Sequence, residues 1–177
     1  MILPIVKYGN PILHQIATPV ISFDEELAEL SKNMVETMYD AGGVGLAAPQ
    51  VGMLTRLMVV DPTAGEKTDS LIVLVNPKII TTEGDQFEDE GCLSIPSFSE
   101  QVHRSQKVVV SARGIDNKEL VVEGQGLLSR ILIHEIDHLN GKLMVENNKI
   151  KHVYRLSKNE NIQTLYSNLV EQLSSLK

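Results

Sequence analysis

The stretch ILIHEIDHLNG, residues 131–141, restricts the fold more than any other part of the chain. Residues four apart on a helix lie one above the other. His134 and His138 would therefore aim two imidazoles at one point, continuing a stripe set by Leu127 and Ile131. Leu128, Leu132, Ile136 and Leu139 make a second stripe. A helix that is apolar nearly all round is buried, so the pattern predicts a central helix from Gly126 to Asn140, with Gly141 as its C′ residue. The two imidazoles and the Glu135 carboxylate need partners in such a place, because an unpaired buried polar group costs several kcal/mol.

A metal ion would be one such partner. It would bind both histidines and raise the acidity of a bound water, whose proton Glu135 could take. Two histidines that only form hydrogen bonds are the plainer alternative, but the H-E-x-x-H spacing on an apolar helix favours the metal. The motif leaves the third ligand open. The run on to Gly141 follows the metzincin pattern, yet Met144 stands where that pattern has its third histidine. Glu160 is at a tempting distance but lies in the polar stretch KNENIQ; His14, His103 and His152 are scattered and read as exposed. That leaves Cys92, the chain's only cysteine, at the switch from polar to apolar in GDQFEDEGCLSIP. Its thiolate is a good ligand for a divalent transition metal.

The remaining elements follow from period and turn chemistry. Ser22-Phe23-Asp24-Glu25 reads as a capping box ahead of an amphipathic helix over residues 24–39, stopped by Gly42-Gly43. Leu57–Val60, Leu71–Val75, Lys78–Thr82, Val102–Ala112 and Glu119–Val122 read as strands. Asp61–Ser70 reads as a polar surface loop, Gly114–Lys118 as a hairpin turn, and about 159–176 as a closing amphipathic helix. Strands flanked by helices without βαβ alternation predict one α+β domain over 1–177, its antiparallel sheets packed around the histidine-bearing helix. With 16 Lys plus Arg against 23 Asp plus Glu, the net charge is −7. That balance disfavours nucleic acid and anionic membranes as partners. A lone thiol suits a reducing cytosol, and neither a signal peptide nor a membrane-spanning run is recognisable.

Three blocks in one order resemble the peptide deformylase family: Gly43-Val44-Gly45-Leu46-Ala47-Ala48-Pro49-Gln50, Glu90-Gly91-Cys92-Leu93-Ser94, and His134-Glu135-Ile136-Asp137-His138-Leu139-Asn140-Gly141. The likeness extends to the opening ILPIVKYGNPIL and to Arg104–Asn117. It implies a metal held by Cys92, His134 and His138, with Glu135 as acid/base. It further implies Gln50 and the Leu93 backbone N–H as oxyanion donors. The implied reaction is removal of the formyl group from the N-terminal formylmethionine of new polypeptides, in bacterial cytoplasm and near the ribosome. Ferrous iron is the implied metal in the cell; zinc, nickel or cobalt would serve in purified protein. Gly43, Val44, Gly45 and Ile131 are candidate substrate contacts, and Glu90, Arg104 and Asp137 candidate supports around the site. One departure stands out: the family usually has Gln before the first metal histidine, and this chain has Ile133. Two other readings compete: a metal amidase or peptidase acting on unformylated peptides, and a structural metal site in a binding protein.

Overall fold

The computed structural model describes residues 1–147 and 153–155. The closing helix expected at about 159–176, His152 and Glu160 lie outside these residues.

Helix α1 spans Glu25–Asp40. Its N-cap is Asp24, not Ser22: Asp24 accepts from the Leu27 N–H at 3.0 Å, and Ser22 Oγ instead donates to Asp24 at 2.7 Å. An ionised carboxylate is the stronger acceptor at the positive end of a helix. Leu27, Met34 and Met38 bury the inner face against Leu46, Leu57 and Val59. Strand β1 (Gly45–Ala47) follows, then β2 (Leu57–Val60), β3 (Ile72–Glu83), β4 (Gln86–Cys92), β5 (Ile95–Arg104), β6 (Lys107–Arg113) and β7 (Glu119–Gln125). Helix α2 is Leu127–Leu139, the short α3 is Met144–Asn147, and β8 is Val153–Arg155.

All strand pairs are antiparallel. One sheet runs β1-β2-β3-β6-β7 and the other β4-β5-β8. The expected α+β architecture is therefore present. Three strand readings change in detail. Leu71–Val75 and Lys78–Thr82 are one strand, β3, kinked at Asn76-Pro77, where the register shifts and Asn76 has φ 53°. Val102–Ala112 divides at Ser105-Gln106 between the two sheets. β4 was not legible because its centre is an acidic run, Glu88-Asp89-Glu90; it forms because β5 supplies a full ladder from Gln86↔Arg104 to Gly91↔Ser99. The hairpin turn at Gly114–Lys118 is as expected, with Gly114 N–H bonded to Lys118 O at 2.9 Å.

Helix α2 packs on the larger sheet and on β5. Only Leu127 of its residues is exposed. Leu132, Ile136 and Leu139 join Met58, Val60, Leu74 and Val110 in the main core. Its C-terminal end is tied down: Gly141 is left-handed at φ 69°, and a Cβ there would lie 2.5 Å from His14 O. No helix among the described residues is long and apolar enough to cross a membrane.

Candidate metal centre and active site

The site lies where α2 faces the β4–β5 hairpin and β1. His134 and His138 Nε2 are 3.1 Å apart, and Cys92 Sγ is 3.3 Å from His138 Nε2. All three donor atoms fall within 4.8 Å of one another. Cys92 reaches this point because β4 ends there, and a register shift at Gly91/Cys92 turns the chain into Leu93-Ser94. The sulfur thus comes from one sheet and the imidazoles from the helix facing it. Met144 is packed in the core with Leu13 and Ile95, and His14 and His103 are exposed elsewhere.

The surroundings suit a cation. His134 Nδ1 bonds Glu90 Oε1, which fixes the ring proton on Nδ1 and aims the Nε2 lone pair at the cluster. His138 Nδ1 and Glu135 Oε2 are buried and find no hydrogen-bond partner among the described residues. Three soft or borderline donors beside an uncommitted carboxylate fit a divalent transition metal with a position left open for a reacting group. Burial pushes Glu135 up to about 7, with the Glu90 charge adding to it and His134 and Arg104 opposing. A carboxyl so placed can hold or release a proton near neutrality.

Glu90 is the hub behind the ligands. Burial would raise its pKa, but His134 and Arg104 outweigh that and keep it well below the ordinary carboxylate range. Arg104 makes a bidentate pair with it at 2.6 and 3.0 Å and reaches Asp137 at 2.6 Å. So the Glu90–Arg104 pair is buried, and Asp137 serves it rather than pointing into water. Arg130 adds a second guanidinium, 2.8 Å from Glu90 Oε2 and 3.1 Å from Val102 O. Arg130 is a site residue beyond those the three motifs pick out. Its signal was there: an arginine one turn before His134 on a nearly all-apolar helix needs a buried anion.

Gln50 is 1% exposed in a 3₁₀ turn, Ala48–Val51, opened by Pro49. Its Oε1 accepts from Ala47 N–H at 2.8 Å, which leaves the NH₂ group towards Cys92 Sγ (3.6 Å) and Ser94 Oγ (3.3 Å). Leu93 lies in the β4–β5 turn, with its carbonyl held by Lys7 Nζ at 3.0 Å. A cavity of about 590 Å³ opens over the cluster. Gly43, Val44, Gly45, Gln50, Leu93, Ile131 and Glu135 all line it. Gly45 has a steric reason to be glycine: a Cβ there would strike Glu135 Oε1 and lie 2.9 Å from Ile131 Cγ2. Ile133 is not among the lining residues.

Two imidazoles and a thiol that could hold a metal ion, with a buried carboxyl beside them at a cavity, form the kind of site a metal-dependent hydrolase needs. Comparison with known proteins gives the family. The sequence model of the polypeptide deformylase family matches residues 2–172. Peptide deformylase of Acidobacterium capsulatum is 52% identical over 145 residues, 82% of this chain and 85% of that protein. That of Thermodesulfovibrio yellowstonii is 47% identical over 145 residues, 82% and 88% of the two chains. The crystal structure of a peptide deformylase from Legionella pneumophila superposes with a TM-score of 0.81 at 39% identity, covering 100% of this chain and 99% of that one. A Synechococcus elongatus peptide deformylase in complex with actinonin gives 0.81 at 36% identity, covering 94% and 86%. The chain belongs to the polypeptide deformylase family, hydrolases that remove the N-formyl group from nascent peptides.

Proposed function

We propose that this chain removes the formyl group from the N-terminal formylmethionine of nascent polypeptides, with Cys92, His134 and His138 holding one divalent metal and Glu135 moving the proton. The convergence of one sulfur and two imidazole nitrogens within 4.8 Å, beside a carboxyl whose second oxygen has no partner among the described residues, carries the reading. A metal so held supplies Lewis acidity and a water acidic enough to react at neutral pH. The protein's own groups do the rest. Glu135 accepts the water proton and returns it to the leaving amine. The Gln50 NH₂ and the Leu93 N–H donate to the oxygen that becomes negative, each worth about 3–4 kcal/mol in the transition state. Glu90 keeps the His134 ring oriented. Val44 and Ile131 wall the side-chain pocket for methionine, with Gly43 and Gly45 letting the peptide backbone approach. The chain acts as one catalytic domain in bacterial cytoplasm, on chains emerging near the ribosome. Ferrous iron occupies the site in the cell, and zinc, nickel or cobalt can replace it after purification.

Formate release from a formyl-Met peptide, measured with ferrous iron supplied, tests this. Wild type should release formate, and Glu135→Gln should be slower by roughly 10²–10⁴-fold with its metal retained. No release by wild type, or cleavage of unformylated peptides instead, would refute the reading.

A further inference from the structure

Asp61 is fully buried although it begins a surface loop and lies outside the cavity. Its side chain gathers five donors. Thr63 N–H, Thr63 Oγ1 and Ser70 Oγ bond Oδ1 at 2.9, 2.8 and 2.6 Å. Tyr39 Oη and Gly65 N–H bond Oδ2 at 2.7 and 2.9 Å. Its backbone N–H donates to Val44 O at 2.8 Å.

Tyr39 and Val44 bracket the segment Ala41-Gly42-Gly43-Val44, which forms one lip of the cavity. The lip leaves α1 through Gly42, whose φ of 66° lies in the left-handed region. Its amides fold back on the end of α1, Gly42 N–H bonding Tyr39 O at 3.0 Å and Gly43 N–H bonding Met38 O at 2.9 Å, so the lip's position follows that of the last turn of the helix. Asp61 holds both flanks of it, the last turn of α1 through the Tyr39 hydroxyl and the far end through its own backbone N–H to the Val44 carbonyl. Neither Asp61 nor Tyr39 lines the cavity.

We propose that Asp61 and Tyr39 are positioning residues that set the affinity for the peptide by holding this lip in its binding conformation. The inference rests on the deformylase reading above. A preformed lip loses less conformational freedom when a peptide docks. Releasing one end should therefore weaken binding while leaving the reacting groups in place.

The test pairs two variants. Tyr39→Phe removes the lip-side bond to Asp61; Ser70→Ala removes a bond to the same carboxylate on the loop side. For a formyl-Met peptide, Tyr39→Phe should raise KM roughly three- to tenfold with kcat within about twofold, about the net worth of one ordinary hydrogen bond. Ser70→Ala should leave KM within about twofold of wild type. Hydrogen exchange of the Gly43 amide should quicken in Tyr39→Phe alone. An unchanged KM in Tyr39→Phe, equal KM shifts in both variants, a loss confined to kcat, or wild-type protection of Gly43 would each overturn the proposal. A wild type that releases no formate would overturn the functional reading, and this inference with it.

Discussion

Replacing Glu90 by Gln removes one negative charge from a buried set of two guanidiniums, Arg104 and Arg130, and two carboxylates, Glu90 and Asp137. Arg104 retains Asp137 at 2.6 Å. Arg130 keeps the Val102 carbonyl at 3.1 Å, and the new amide turns N–H donors towards it. Breaking a buried ion pair from one side costs ~3–5 kcal/mol. Set against the stability of an ordinary domain, about 5–15 kcal/mol, that is about a fifth at the least. A second loss is separate from folding: His134 Nδ1 gives up an anionic acceptor for a neutral one, and such changes behind a ligand weaken metal binding by roughly 10–100-fold. Guanidinium unfolding of the metal-free protein would read the first effect, as a lower midpoint at unchanged slope. Competition against a chelator would read the second. A midpoint shift worth less than about 1 kcal/mol, together with unchanged metal affinity, would refute the account of Glu90 as the hub.

Gly45→Ala should lower formate release about 100-fold or more, because the new Cβ displaces the Glu135 carboxylate; retention of metal, checked by elemental analysis, distinguishes this from loss of the site. Cys92→Ser should lose metal on dialysis that leaves wild type loaded, since a hydroxyl is not ionised at neutral pH and is a poorer ligand than a thiolate; equal metal content in both would contradict the ligand assignment. Burial opposes ionisation of Asp61, but bonds from Ser70, Tyr39 and Thr63 win and hold its pKa below the ordinary value of 3.8. A carboxyl depressed by folding contributes stability above its unfolded pKa and loses it as pH falls through the folded value. Wild type should thus lose up to about 1.4 kcal/mol per pH unit more than Asp61→Asn below about pH 4, and parallel stability–pH curves for the two would contradict this.

The central helix and its ligand pair were legible because two signals coincide on them. The apolar residues recur with helical period, and the histidines break that pattern at a spacing that puts both on one face. Cys92 was legible only as a lone thiol at a change of composition; its meeting with the imidazoles depends on the β4–β5 ladder and the shift at Gly91/Cys92, which no local pattern reports. β4 itself, with three consecutive acidic residues at its centre, was hidden because a partner strand and not its own propensity makes it extended. Asp61 read as the start of a polar loop because polar residues that satisfy one another through space look, in one dimension, like residues facing water. The structure shows the opposite, a carboxylate closed off by its own loop.

Ile133 shows how one helix separates these demands. The family's usual glutamine at this place suggests an amide beside the metal site, so its loss could be read as a donor removed from the chemistry. In the structure Ile133 packs against the main core, and the cavity wall from this helix is Leu127, Arg130, Ile131, His134 and Glu135. Ile133 therefore contributes apolar contact to the core and does not line the cavity. Neighbouring positions on a helix point about 100° apart, so a residue adjacent to a ligand in sequence need not share its surroundings. Position 133 belongs to the core that holds α2 in place, and position 134 to the site that α2 presents.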